Sequence, residues 1–233
     1  MKNVNEKKFK IQKNKPFVYR KQWPIRIALT GGMGAGKSTV LKFLKEKGVP
    51  VFQTDIIVHQ LLNDEQFLKS ISKYFGKEIL NEYGSIDRKK LALKAFRSPK
   101  RQKKLNAMLH PAVRTKVSEW VRSWSKKSFV PALVVVEVPL LFEGGYYRWF
   151  DGILCVSAPK VIRQKRLLKR GWNLAEIQRR EKLQWSQFRK NKMANWVVFN
   201  EGTHKNLRYT VYRWLECLEE VCGFITSVPR SRI

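Results

Sequence analysis

Cysteine is scarce: the 233 residues hold three, Cys155, Cys217 and Cys222, with no Cys-x-x-Cys pair. An odd, scattered set excludes a disulfide framework and a cysteine-built zinc site, and fits a reducing, cytoplasmic setting. Long apolar runs are missing too. The longest, over 129–142, is interrupted by Pro131, Glu137 and Pro139 and is too short to cross a bilayer as a helix, so no membrane span is expected. The N-terminal stretch is basic but lacks the apolar core of a secretory signal. Acid is the third shortage, with 18 Asp and Glu against 48 Lys and Arg, a formal net charge of +30. That balance points to a polyanionic partner, be it a nucleotide, a nucleic acid or an anionic surface, and does not choose among them. Apolar and aromatic residues are plentiful. A hydrophobic fraction of 43%, with 13 Phe, 8 Trp and 7 Tyr, excludes a disordered polymer and suffices for a core domain carrying an inserted sub-domain.

The basic residues cluster. Residues 1–24 carry eight against one Glu and read as a flexible, solvated tail. Fourteen lie in 88–127 against Glu119 alone, and twelve in 160–192 against two acids. From Ile25 the texture turns regular. IRIALT reads as a strand, GGMGAG (31–36) as a glycine loop, KSTVLKFLKEKG as a helix stopped by Gly48, and PVFQTD as a second strand ending at Asp55. That order is one βαβ unit. Successive amphipathic helices follow from Ile56 to about residue 128, one of them ended or kinked by Pro111. VPALVVVEVPLLF reads as a fully buried strand and DGILCVSA as another. PKVIRQKRLLKRG and NLAEIQRREKLQWSQFRKNK read as two basic helices, ANWVVFNEG as a strand and turn, and Thr203 to Val221 as a closing helix.

Gly31 to Ser38, GGMGAGKS, fits GxxxxGK[ST], the phosphate-binding loop, between a predicted strand and a predicted helix. The chemistry needs these residues in this order. Glycines let the backbone fold around an anion. The amides of Gly32, Gly34, Ala35, Gly36, Lys37, Ser38 and Thr39 can then face the β- and γ-phosphates of a nucleoside triphosphate, helped by the helix dipole. Lys37 neutralises the transferring phosphoryl group, and the Ser38 hydroxyl ligates Mg²⁺. Asp55, at the predicted end of the second strand, is either the base that takes the acceptor hydroxyl's proton or a helix cap. Glu137 interrupts an apolar strand and needs a partner, either Mg²⁺ with its water shell or a basic side chain. Arg163, Arg166 and Arg170 are spaced for one helical face, where mobile positive charge could close over the γ-phosphate, with Gly171 behind them.

Several segments together resemble the dephospho-coenzyme A kinase family. IALTGGMGAGKST is similar to its opening strand and loop, PVFQTDIIVHQLL to its second strand and helix, LNAMLHPAV to its Leu-His-Pro segment and VVVEVPLLFEGG to its Pro-Leu-Leu strand. RQKRLLKRGW and RREKLQ resemble its lid and the glutamine after it, and KMANWVVFNEG its closing segment. The chain departs from the pattern at Gln53, His59 and Asn195. The resemblance implies transfer of the γ-phosphoryl of ATP to the ribose 3′-hydroxyl of dephospho-coenzyme A, with Mg²⁺. It implies that Lys37, Asp55, Arg166 and Arg170 are catalytic and that Asn200 and Gly202 join the loop in holding the nucleotide. Asp55, His59, His110, Pro139 and Leu140 would meet the acceptor.

The expected fold class is α/β, a P-loop NTPase-type, mostly parallel sheet flanked by helices. The kinase domain would span 25–222, with a helical acceptor-binding insert over 56–128, a helical lid over 160–193 and a C-terminal tail over 223–233. The expected partners are the two small-molecule substrates, with no specific nucleic acid and no membrane, in a monomer or weak homo-oligomer. Two other readings stay open: a different nucleoside or nucleotide kinase, and an ATP-binding protein associated with nucleic acid, which the net charge favours.

Overall fold

A computed structural model describes residues 9–11, 24–95, 97–126 and 130–222. Most of the tail expected over 1–24, and all of that over 223–233, lie outside these. Two compact units are present, one of residues up to Phe52 together with those from Val121 onward, the other Gln53–Trp120.

The larger unit is built on a six-stranded sheet in the order β1-β6-β5-β2-β4-β3. Its strands are β1 Phe9–Ile11, β2 Ile25–Gly31, β3 Val51–Gln53, β4 Leu133–Glu137, β5 Gly152–Ser157 and β6 Trp196–Phe199. β2 pairs in parallel with β4 and β5, β5 pairs in parallel with β6, and β1 closes the edge antiparallel to β6. Phe9–Ile11 is thus a correction to the solvated tail: the apolar-polar-apolar triplet Phe-Lys-Ile has strand alternation, and pairing with β6 satisfies an edge that would otherwise be bare. β2, β4 and β5 are buried almost throughout, as parallel strands covered on both faces must be.

Helices α1 Lys37–Glu46 and α9 His204–Cys222 cover one face. Val40, Phe43 and Leu44 of α1 and Leu207, Val211, Trp214 and Leu218 of α9 join Ile27, Leu29, Val135, Leu154 and Val198 in one core. Helix α8, Gln187–Met193, lies against β2 and β5, with Lys190 wholly buried. Between β5 and α8 stand α6 Lys160–Leu168 and α7 Leu174–Lys182. The single helix expected over 173–192 is therefore two. Ser186 caps α8 by accepting from the Arg189 amide, which restarts the helix.

The smaller unit holds α2 Thr54–Leu62, α3 Glu65–Phe75 and α4 Arg88–Ala95, and most of α5, Pro99–Ser125. Leu62, Ile71, Phe75, Ile79, Leu91, Ala95 and Leu109 form its own core. β3 ends at Gln53, earlier than expected, so Asp55 is helical. Nor does Pro111 end α5: Leu109, Val113 and Val117 form a buried i, i+4, i+8 stripe across it, and that burial outweighs the ~3 kcal/mol that a proline inside a helix costs. Among the described residues no helix is long and apolar enough to cross a membrane.

Candidate active site

Strand β2 delivers the glycine loop, and the chain re-enters a helix at Lys37. Gly36 turns the corner with φ 102°, a left-handed conformation that favours glycine, and a Cβ there would overlap the Asn200 amide. The first turn of α1 carries no acid, so the positive end of its dipole is left for an anion. Lys37 folds back across the loop, its Nζ donating to the carbonyls of Gly31 and Gly32 at 3.1 Å each. Ser38 is exposed on the first turn, beside the half-buried Thr39.

Side chains from α6 and the end of β6 grip the loop. Arg166 Nη1 donates to the carbonyls of Gly34 and Ala35, both at 3.4 Å, and its Nη2 to Asn200 O at 3.1 Å and Oδ1 at 3.2 Å. Asn200 Nδ2 donates to Ala35 O at 2.8 Å. Burial, and then the nearby Arg170, push the Arg166 pKa below its ordinary value, a local excess of positive potential that a phosphate would relieve. The shared arginine face expected for Arg163, Arg166 and Arg170 is not what forms. Arg163 is buried, donating to Met33 O at 3.3 Å and paired with Glu181 of α7 at 2.7 Å. Arg170 lies beyond the end of α6 and is exposed, free of the helical face because the helix stops at Leu168. Gly202 is exposed in the loop between β6 and α9.

At the end of β4, Glu137 is buried opposite Leu29 of β2. The Pro139 carbonyl, just beyond, accepts from Thr30 Oγ1 at 3.4 Å and from Lys190 Nζ at 3.0 Å, while Leu140 is half-buried in the same turn. Lys190 pairs with Glu143 at 2.9 Å, and Glu143 also accepts from the Trp185 amide at 2.8 Å. The sequence marked neither residue, because a lysine in a basic helix and a glutamate before two glycines both read as surface charge. Gln187, whose Oε1 accepts from the Gly32 amide at 3.0 Å, is not marked by the sequence either, because a glutamine among basic residues reads as one more solvated polar side chain. Asn195 uses its Oδ1 to accept from the Ile153 amide at 2.9 Å, a task that an amide performs as well as a carboxylate.

In the smaller unit, Asp55 and His59 are both exposed on α2, one helical turn apart and so on one face. Asp55 sits in the first turn, where the dipole favours a carboxylate, but the capping position is Gln53. His110 is half-buried in the middle of α5, and burial lowers its pKa to about 4, so its imidazole is neutral at pH 7.

Similarity to known proteins agrees with this geometry. The dephospho-CoA kinase family matches residues 25–206. A dephospho-CoA kinase of Enterococcus faecalis is 35% identical over 192 residues, 82% of this chain and 95% of that protein. One from Geobacillus kaustophilus is 38% identical, covering 79% of this chain and 92% of that one. Among solved structures, TT1252 from Thermus thermophilus has a TM-score of 0.71 at 35% identity, covering 84% of this chain and 99% of its own. The dephospho-CoA kinase of Campylobacter jejuni shares the fold, with a TM-score of 0.60 at 24% identity, over 84% of this chain and 98% of that chain. With its glycine loop, gripping arginine and parallel sheet all inside the matched span, the chain belongs to the dephospho-CoA kinase family.

Proposed function

We propose that the chain transfers the γ-phosphoryl group of ATP to the ribose 3′-hydroxyl of dephospho-coenzyme A, with Mg²⁺, through Lys37, Ser38, Asp55, Arg166 and Arg170. Dephospho-CoA kinases make coenzyme A in the last step of its biosynthesis, and membership of the family makes this chain an ATP-dependent transferase. The observation that carries the reading is the loop itself. Its phosphate-facing helix end carries no acid, its lysine is parked on the Gly31 and Gly32 carbonyls, and Arg166 and Asn200 hold the Gly34 and Ala35 carbonyls away from an incoming anion. Lys37 exchanges two neutral carbonyls for phosphate oxygens, a stronger pairing, so it is released when nucleotide arrives. The loop amides of Gly34, Ala35, Gly36 and Thr39 cradle the phosphates, with Asn200 and Gly202 at the nucleotide's side; the Gly32 N–H, expected to join them, is instead given to Gln187 Oε1.

The donor set suits Mg²⁺. No group of three or more His, Cys, Asp or Glu among the described residues makes a metal site alone, and Mg²⁺ takes one or two protein oxygens with the rest from phosphates and water. Ser38 would hold it, with Glu137 at the neighbouring strand end. When bound, the ion neutralises charge on the transferring phosphates. Asp55 accepts the proton of the attacking hydroxyl; its exposure on α2 leaves it accessible to an acceptor. Neutral His110 serves as a hydrogen-bond partner for the acceptor and adds no charge, and His59, Pro139 and Leu140 complete the acceptor contacts. Arg170, exposed beyond α6, is the charge free to close on the γ-phosphate. Three free thiols support a cytoplasmic setting.

A coupled ADP-release assay over a panel of acceptors tests the reading. ADP formation that requires dephospho-coenzyme A is expected. Turnover driven by AMP or adenosine instead, or by nucleic acid, would replace it with one of the two other readings.

A further inference from the structure

We propose that Gln187 is a positioning residue of the nucleotide site, holding the Gly31–Gly32 peptide in the orientation from which Lys37 works. The inference rests on reading Gly31 to Ser38 as the ATP site. One peptide unit is gripped at both ends. Its carbonyl, on Gly31, accepts from Lys37 Nζ at 3.1 Å, and its N–H, on Gly32, donates to Gln187 Oε1 at 3.0 Å. The rest of the Gln187 amide is fixed in turn. Nε2 donates to Asn191 Oδ1 at 2.8 Å, to Val156 O at 3.3 Å and to Cys155 Sγ at 3.4 Å. Rotating that amide by half a turn would set Nε2 against the Gly32 N–H and Oε1 against the Val156 carbonyl, donor to donor and acceptor to acceptor. Only one orientation therefore satisfies the network. Helix α8, which carries Gln187, is itself locked by the fully buried Lys190.

The same contact explains the second glycine. Gly32 is not among the glycines with positive φ, so backbone conformation does not require it. A Cβ at that position would stand 2.8 Å from Gln187 Oε1, closer than a Cβ packs, and 3.1 Å from Arg163 Nη1, a tight contact. Glycine at residue 32 leaves room for Gln187 Oε1 and Arg163 Nη1 to approach the loop without shifting. Two adjacent glycines make this the least restrained peptide of the loop, and Gln187 supplies the order that they lack. The loop then meets ATP already arranged, and the cost of ordering it does not weaken binding.

Calorimetric titration of MgATP into the full chain, with melting curves on each variant, tests this. Gln187→Leu and Gln187→Ala should each weaken ATP binding about tenfold, the worth of one lost buried hydrogen bond. The KM for dephospho-coenzyme A should be unchanged, which general structural damage would not allow. Gly32→Ala should weaken ATP binding further, and Gly32→Ala with Gln187→Ala should lose less than the sum of the two single losses, because the nearer overlap, with Gln187, is gone and only the contact with Arg163 remains. ATP affinity of a folded Gln187→Leu chain within about twofold of wild type, or strictly additive losses in the double variant, would overturn the proposal. Failure of the wild-type chain to bind ATP would instead refute the nucleotide site on which it rests.

Discussion

Replacing Lys190 with methionine removes a charge that water cannot replace. The side chain is 0% exposed, that of its partner Glu143 is 7% exposed, and Nζ stands 2.9 Å from Oε1. Such a pair is worth little against two apolar residues, but either half alone is costly. Methionine fills a similar volume and leaves the Glu143 carboxylate buried with the Trp185 amide as its remaining donor, its Oε2 having no hydrogen-bond partner. Breaking a buried pair from one side costs ~3–5 kcal/mol. For a chain of this length that is a fall of ~6–20 °C in melting midpoint. Removing both charges, Lys190→Met with Glu143→Leu, eliminates the stranded carboxylate and should recover at least half of the loss. Urea unfolding of wild type, the two single variants and the double variant gives the cycle directly. A Lys190→Met cost below ~1 kcal/mol, or a double variant destabilised by the sum of the singles, would refute the idea that this pair locks α8 to the sheet.

Three further outcomes are expected. Lys37→Ala should cut turnover by ~10³ or more with circular dichroism unchanged, since it removes a charge that stabilises the transferring phosphoryl. Asp55→Asn should lower kcat by ~10²–10⁴ and leave ATP affinity, read by calorimetry, nearly intact; loss of stability with kcat preserved would make Asp55 a helix-end charge only. His110 gives a signed pH dependence. Its folded pKa is lowered by burial from 6.5 to about 4, so between those values the unfolded chain binds the proton and the folded chain does not. Its stabilising contribution is complete above pH 6.5 and is lost as pH falls toward 4, and His110→Leu should flatten that part of a urea-midpoint profile.

The parts of the site legible in the sequence are those whose signal is local. Alternation of apolar residues to Leu29, the cluster Gly31 to Gly36 and the helical spacing of Val40, Phe43 and Leu44 lie side by side in the chain, so β2, the loop and α1 could be read together. Asn200 was reached only through the resemblance, because its bond to Ala35 O spans 165 residues. The strand end at Gln53 was misjudged since Thr54 and Asp55 suit a strand end and a helix start equally. Lys190 and Arg163 were unreadable for a different reason. Each looks like one more cation on a basic helix, and what buries it is an acid elsewhere, Glu143 for one and Glu181 for the other. Phe9–Ile11 has no partner signal within itself, and its edge pairing depends on β6, far along the chain.

The most direct measurement is the position of the phosphate in the product. The chain is incubated with ATP, Mg²⁺ and dephospho-coenzyme A, and the product is examined by phosphorus and proton NMR beside authentic coenzyme A. A single new monoester on the ribose 3′-oxygen, formed in step with ADP and absent with Lys37→Ala, is the expected result. A phosphate at any other position, or ADP formed without a phosphorylated acceptor, would contradict the assignment of this site as a dephospho-coenzyme A kinase centre.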